Sequence, residues 1–415
     1  MARRVCREGS MANLPLIGRG TLTRETLAGQ VVIVTGAGGG IGFEAARALC
    51  WLGARVIIAE LQRAKGQTAV ARLMEEFGSE AAIDVHADVG SERSVHRLAQ
   101  RAARTYGHVD VVLNNATIAP LGAVQEVPIR TWDASYRVNL RGPVLLARAF
   151  LPGMLARERG TFVCVSSLGT AYMGAYEAMK AAQAHLAHTL AAELEGTGIV
   201  AFSIGPGFVP TETALSALPG LAASMGVETE ALRATLAGQT IPVEAAGAGF
   251  AAAIALAERY RDQEISSLQA LYDAGIALPD QGQAQERTFS AQTFERIRAG
   301  AKRVRETLAE QSAGWADRSI FERQWLIRTF RSRAGMPVEG WLEALARLER
   351  AAAAQDAAGI SAVGAPLDAL AGYYAYLGEM AKGYAKDAAA REEQVAIVRG
   401  WQEEVEALAG VLEGE

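Results

Sequence analysis

Tyr176 and Lys180 stand four positions apart in Tyr176-Glu-Ala-Met-Lys180. On a helix, residues i and i+4 share a face, so that the ammonium can sit beside the phenol. A free phenol has a pKa of about 10 and is a poor base at neutral pH, but a neighbouring cation favours its ionised form. Such a pair can take a proton from a substrate oxygen or deliver one to it. The spacing alone is common, and a helix-surface pair is the plainer reading of it, so the case depends on what surrounds it. His185 and His188, three apart, have no carboxylate or cysteine at a suggestive spacing and read as packing or subunit contact. Cys6, Cys50 and Cys164 are odd in number, far apart and in no CxxC pair, which argues against a disulfide framework or a metal site and fits a reducing cytoplasm.

A second constellation lies nearer the start. Thr35-Gly36-Ala37-Gly38-Gly39-Gly40-Ile41-Gly42 follows a β-branched run and opens a helix-forming stretch. Glycines at Gly36, Gly38, Gly40 and Gly42, with Ile41 among them, allow a tight turn that brings backbone close to a pyrophosphate at the positive end of the helix. Glu60 lies 24 positions after Gly36, at the end of the next apolar run. An acidic side chain there accepts hydrogen bonds from ribose hydroxyls and repels a 2′-phosphate, which favours NAD over NADP, although Arg63 is close by.

With both constellations in view, the chain resembles a short-chain dehydrogenase/reductase over about residues 27–275. Thr35 to Gly42 matches that family's TGxxxGxG pattern, and Asp88-Val89 its acidic-apolar pair. Asn114-Asn115-Ala116 matches its NNAG motif, with Thr117 in place of the last glycine, and Pro206-Gly207 followed by Thr211 its later segment. The resemblance implies that Asp88 and Val89 contact adenine, that Asn115 and Ala116 line the cofactor site, and that Pro206, Gly207 and Thr211 hold the nicotinamide carboxamide. It implies a catalytic set of Asn139, Ser167, Tyr176 and Lys180. Tyr176 is then the acid–base, Ser167 the hydrogen-bond partner of the substrate oxygen, Lys180 also the anchor of the nicotinamide ribose, and Asn139 the holder of a relay water. Ser167 precedes Tyr176 by nine positions, where the family usually has about a dozen residues between them. The short link leaves Ser166 as an alternative to Ser167 and implies a reshaped pocket. A β-branched Thr117 is expected to be strained if its backbone needs φ > 0.

These residues need a scaffold. Val31 to Thr35, Arg55 to Ala59, Val109 to Asn114, Gly160 to Ser166 and Val200 to Ile204 read as short strands apolar on both faces, with a last strand at Ser267 to Tyr272. Helix-length stretches lie between them: Gly42 to Leu52, Ser91 to Tyr106 and Tyr176 to Leu194. The pattern predicts an α/β fold, a Rossmann-type doubly wound parallel sheet. After about Pro279 the strand-like runs stop and four or five helices are expected, an all-helical C-terminal extension. The expected division is an N-terminal arm at 1–26, a cofactor-binding domain at 27–280 and the helical extension at 281–415. The arm is read as unstructured, with Met11 as a possible start.

The extension is basic in Arg287 to Arg333 and acidic after Glu339, which reads as solvated helix faces that pair with each other or with a neighbouring subunit. Tyr373, Tyr374, Tyr376, Trp315, Trp325, Trp341 and Trp401 read as helix–helix core. Glu212 to Thr240, with Leu215, Leu218, Leu221 and Met225, is the expected lid and points to an apolar substrate. A net charge of −5 on 415 residues suggests no nucleic-acid partner, and no apolar run suggests a membrane span. The leading expectation is a cytoplasmic NAD-dependent oxidoreductase acting on a small alcohol or carbonyl compound, as a homodimer or homotetramer. The alternative is a catalytically weak NAD-binding scaffold acting through its helical tail.

Overall fold

The computed structural model describes residues 14–167, 171–237, 240–276, 278, 289–334, 338–356, 360, 367–384 and 388–413. The chain divides into two units, residues 1–282 and 283–415. In the first, β1 (Val31–Thr35), α1 (Gly40–Trp51), β2 (Arg55–Glu60), α2 (Arg63–Phe77), β3 (Ala82–His86), α3 (Glu92–Tyr106) and β4 (Val111–Asn114) form the first half of the sheet. The second half holds α4 (Ile129–Tyr136), α5 (Gly142–Leu155), β5 (Gly160–Val165), α6 (Gly174–Glu193), β6 (Ile199–Gly205), α7 (Glu212–Met225), α8 (Thr229–Ala237), α9 (Val243–Ala255), β7 (Glu264–Ser266) and α10 (Ser267–Asp273).

The seven strands are all parallel and run in the order β3-β2-β1-β4-β5-β6-β7. This is the doubly wound sheet that the sequence led us to expect. Strand residues alternate between two cores. Val32, Val34, Val56, Ile58, Leu113 and Phe202 face one, which α1 and α9 close. Val31, Ile33, Ile57, Val112, Phe162 and Ala201 face the other, with residues of α3, α5 and α6. Because both faces are covered, the strands read as continuous apolar runs. The order reverses between β1 and β4, and the carboxyl ends flanking that switch are where such sheets bind ligands.

Three details differ from the sequence reading. The expected last strand at Ser267 to Tyr272 is instead helix α10, capped by Ser266, which accepts from the Gln269 amide. The seventh strand is the three-residue segment before it. Residues 14–26, placed within an unstructured arm, pack on the domain: Leu16 and Ile17 form a short 3₁₀ turn and are buried in the first core. The fold also has β3, an edge strand that no apolar run of the sequence marked.

The second unit has five described helices: α11 (Ala291–Ala313), α12 (Ile320–Ala334), α13 (Val338–Ala353), α14 (Leu367–Tyr384) and α15 (Ala388–Glu413). Its own core includes Ile297, Leu308, Phe330, Trp341, Tyr373 and Leu408. The Trp341 indole donates to the Ala334 carbonyl at 2.9 Å, which satisfies its polar atom inside that core. Tyr374 is buried there, and Trp315 and Trp401 pack against the cluster. The side chain of Trp325 lies outside the described residues. Arg305 of α11 pairs with Glu349 of α13 at 2.8 Å, so at least one basic face meets an acidic one within the unit.

Candidate active site

The turn between β1 and α1 is set by backbone. Gly36 has φ +64, and a Cβ there would lie 2.8 Å from the Ala116 Cα, so the turn and the β4 exit touch through a position only glycine fills. Thr35 and Asn115 lock the same junction. The Thr35 hydroxyl donates to the Leu113 carbonyl at 3.3 Å and accepts from the Asn115 and Ala116 amides at 3.0 Å each. The Asn115 side chain donates to the Thr35 and Gly36 carbonyls at 2.9 and 3.1 Å. Asn115 therefore braces the turn from β4.

Above the turn there is room. A Cβ on Gly39 would meet nothing within 4 Å, and no side chain caps the start of α1. The exposed amides of that helix end suit an anion. Glu60 closes one side, its carboxylate accepting from the Gly38 amide at 3.0 Å and the Gln62 amide at 2.9 Å. Thr211, which caps α7, stands on another side, 3.5 Å from where a Gly40 Cβ would be. Asp88 accepts from the Gly90 amide at 2.9 Å, and Val89 is buried beside Gly142. Pro206 and Gly207 follow β6, and the Pro206 carbonyl accepts from Ser267 at 2.9 Å. The turn residues, Glu60, Asp88, Asn115 and Pro206 thus all sit at or just after the carboxyl ends of their strands.

The titratable group lies at the end of β5. Lys180 is 1% exposed, and its ammonium donates to the Val165 carbonyl at 2.7 Å. Burial pushes its pKa down to about 8, opposed by Cys164 and Glu177. The ammonium lies 5.7 Å from the centre of the Tyr176 ring. Burial pushes the Tyr176 phenol up to about 12. The Ser167 hydroxyl, its hydrogen-bonding neighbour, pulls the value down, and Glu177 raises it further. Desolvation outweighs the stabilised phenolate that the Tyr–Lys spacing alone suggests. Ser167 is the serine that meets Tyr176, whereas Ser166 is buried beside Gly205 of β6.

Asn139 is fully buried in a wide π-type turn, Arg137–Arg141, between α4 and α5. Its side chain accepts from the Thr117 hydroxyl at 2.9 Å and the Ile118 amide at 3.0 Å. It donates to the Ile118 carbonyl at 2.7 Å and to Ser135 at 2.9 Å. Ser135 in turn donates to the Ala175 carbonyl, beside Tyr176. Thr117 is not among the described residues with positive φ, so it carries no strain and serves Asn139 instead.

Two residues missed in the sequence reading complete the site. Gln183, fully buried one turn beyond Lys180, donates its amide to the Asn139 carbonyl. Glu177, half-buried, accepts from the Ser167 hydroxyl at 3.0 Å. A polar residue three positions after Lys180 on an otherwise apolar helix face was the available signal for the first. For the second it was a carboxylate placed inside the Tyr–Lys spacing itself.

His188 pairs with Asp262, 74 positions away, a partner that local spacing could not reveal. Among the described residues no cluster could hold a metal ion. No described helix is long and apolar enough to cross a membrane. A separate cavity of about 450 Å³ opens at the amino ends of the strands, beside Gln30, Asp110 and Gly160, away from these side chains.

Residues 30–219 match the sequence profile described as short chain dehydrogenase. The chain is 36% identical over 192 residues to cis-4-hydroxycyclohexanecarboxylate dehydrogenase of Sinomonas cyclohexanicum, covering 45% of this chain and 76% of that protein. It is 34% identical over 192 residues to a short chain dehydrogenase of Pseudocercospora fijiensis, covering 45% of this chain and 62% of the relative. The fold is similar to that of L-sorbose reductase from Gluconobacter frateurii, solved with NADPH and L-sorbose. There the TM-score is 0.53 and the identity 23%, over 58% of this chain and 96% of the other. The matched regions all leave a large part of the present chain uncovered.

Proposed function

The chain belongs to the short-chain dehydrogenase/reductase family, and from that premise we propose that it interconverts an alcohol and a carbonyl compound using NAD in preference to NADP. The observation that carries this reading is the meeting of Ser167, Tyr176 and Lys180 after β5, at the same sheet edge as the open glycine turn. The uncapped start of α1 fits a pyrophosphate, and Gly36, Gly38, Gly40, Ile41 and Gly42 would hold it. Asp88 and Val89 would flank the adenine, Asn115 and Ala116 the middle of the cofactor, and Pro206, Gly207 and Thr211 the nicotinamide. When bound, the nicotinamide ring supplies or accepts the hydride.

The rest of the chemistry belongs to the protein. Tyr176 exchanges a proton with the substrate oxygen, and Ser167 fixes that oxygen in place. Lys180, whose pKa of about 8 leaves it charged at neutral pH, holds the ribose hydroxyls. Asn139 keeps the π-type turn and, through Ser135, the start of α6 in position. Glu60, already accepting from Gly38, excludes a 2′-phosphate.

The substrate is proposed to be apolar around its reacting carbon. Leu215 and Met225 of α7 are partly exposed, while Leu218, Ala222 and Leu232 pack the segment into a small cluster of its own. A relative that acts on an alicyclic alcohol supports that class. The protein is proposed to work in the cytoplasm as a homodimer or homotetramer, a state that light scattering would measure.

The test is turnover of NAD and NADP with alicyclic, aromatic and polyol alcohols and their ketones, in the wild type and in Tyr176→Phe. Reduction of NAD with an apolar alcohol, lost in Tyr176→Phe, is expected. The capped Asn139 carbonyl and the strongly protonated phenol favour one second reading, a cofactor-binding scaffold of weak activity. Tight cofactor binding with no turnover, unchanged by Tyr176→Phe, would establish it instead.

A further inference from the structure

An acid–base residue that gains a proton in each turnover must also lose it, so Tyr176, partly buried and with its phenol desolvated, needs an outlet. The side of Tyr176 toward Asn139 offers a poor one. All four hydrogen bonds of the Asn139 side chain go to protein, and the Gln183 amide covers its carbonyl. Lys180 spends a donor on Val165 inside the core.

The other side of Tyr176 is different. Ser167 neighbours the phenol and donates its own proton to the Glu177 carboxylate at 3.0 Å. Glu177 is half-buried, so it reaches both the site and solvent. Phenol, hydroxyl and carboxylate thus form a short wire whose last member is a group built to accept a proton.

Resting on the oxidoreductase reading above, we propose that Glu177 is the proton outlet of this site, acting through Ser167. During alcohol oxidation the Tyr176 phenol proton passes to the Ser167 oxygen as the Ser167 proton moves to Glu177, and the phenolate so formed takes the substrate proton as the substrate O–H bond breaks. The Glu177 carboxylic acid releases its proton to water, and every group returns to its starting state. Carbonyl reduction runs the same wire backwards, with water supplying the proton. Glu177 is a positioning and relay residue, since Ser167 stands between it and Tyr176.

The test uses the full chain with its nicotinamide cofactor and the best alcohol from the panel. Glu177→Gln keeps the shape and removes the base. Its kcat is expected to fall by about 10- to 100-fold with KM within about threefold, as for loss of a proton-transfer group. Glu177→Asp is expected to recover part of the loss, and added formate or imidazole to raise the Glu177→Gln rate in proportion to its concentration. A second readout needs no turnover. The tyrosinate absorbance that Tyr176→Phe removes is expected to appear at lower pH in Glu177→Gln, because Glu177 raises the phenol. An unchanged kcat in Glu177→Gln, or a change confined to KM, would overturn the relay. So would a collapse of turnover in Gln183→Leu with Glu177→Gln unaffected, since the outlet would then run past Asn139. A wild-type protein with no nicotinamide-dependent turnover would sink the oxidoreductase reading, and the relay with it. Turnover in the wild type with an indifferent Glu177→Gln sinks the relay alone.

Discussion

Tyr176 is held protonated by its surroundings, and this fixes the sign of its pH dependence. Burial and Glu177 both raise it, and Ser167 alone opposes them. Oxidation needs the phenolate and reduction the phenol, so kcat/KM for alcohol oxidation is expected to rise from pH 6 to about 8, the range in which Lys180 keeps its charge. The reductive direction should stay level across neutral pH. Initial rates in both directions check this, and an oxidation profile that is flat or falls over that range would contradict it. Lys180 carries the opposite burden. Its folded pKa of about 8 lies below its ordinary 10.5, so the folded state binds fewer protons than the unfolded one between those values. Stability is therefore penalised in full below about pH 8 and recovers as pH rises toward 10.5. Lys180→Met is expected to abolish turnover yet stabilise the fold at pH 7, by about 1–4 kcal/mol. Urea unfolding at pH 7 and pH 10 should show the gain shrinking at the higher pH. Glu60→Gln keeps the bond to the Gly38 amide within reach but removes the charge facing a 2′-phosphate. The ratio of NAD to NADP affinity, measured by calorimetry, is expected to fall about tenfold, or about 1.4 kcal/mol.

At the scale of elements, the junction of β1, β4 and α1 makes the cofactor turn rigid. Thr35 satisfies the Asn115 and Ala116 amides together from one buried hydroxyl. Thr35→Val preserves shape and strands both amides. It is expected to cost about 1–3 kcal/mol in urea unfolding and to weaken NAD binding, because Asn115 then loses its hold on the turn. Unchanged values for both would mean that water replaces the hydroxyl. The same scale shows what was legible in the sequence. Strands β1, β5 and β6, and the Val56–Ala59 stretch of β2, announce themselves because both faces are buried and every residue is apolar or small. Strand β3, Ala82–His86, lies at the sheet edge and carries Asp84 and His86, so it leaves no apolar run. The segment at Ser267 to Tyr272 looks strand-like through Leu268, Leu271 and Tyr272, yet Ser266 caps a helix there. The glycine turn, Glu60 and the Tyr176–Lys180 face are local in sequence and could be read. The bonds of Asn139 to Thr117, Ile118 and Gln183 span 21 to 44 positions, and no local pattern encodes them.

At the scale of the whole molecule, composition alone announced a change of character after about Pro279, and the contact boundary falls close by, between residues 282 and 283. The unit 1–282 contains every residue assigned to the cofactor and to the proton chemistry. The unit 283–415 owns a separate core, in which Trp341, Phe330, Tyr373 and Leu408 are almost fully buried among helices of the same unit. Among the described residues, the buried side chains of each core belong to one unit. A truncated chain ending at Gly282 is therefore expected to fold and to bind NAD with affinity within about threefold of the full chain, since every residue assigned to the cofactor is kept. The helices are expected to act on assembly or on access to the site. Truncation should then change the number of subunits found by light scattering, or the KM for the alcohol, while NAD affinity holds. Calorimetry, light scattering and steady-state kinetics on the two lengths make the comparison. If the truncated protein keeps its subunit number and its KM, the helices serve neither role and belong to the recognition of a different partner. If it loses NAD binding while still folded, the cofactor site extends beyond residue 282 and the division of labour drawn above is wrong.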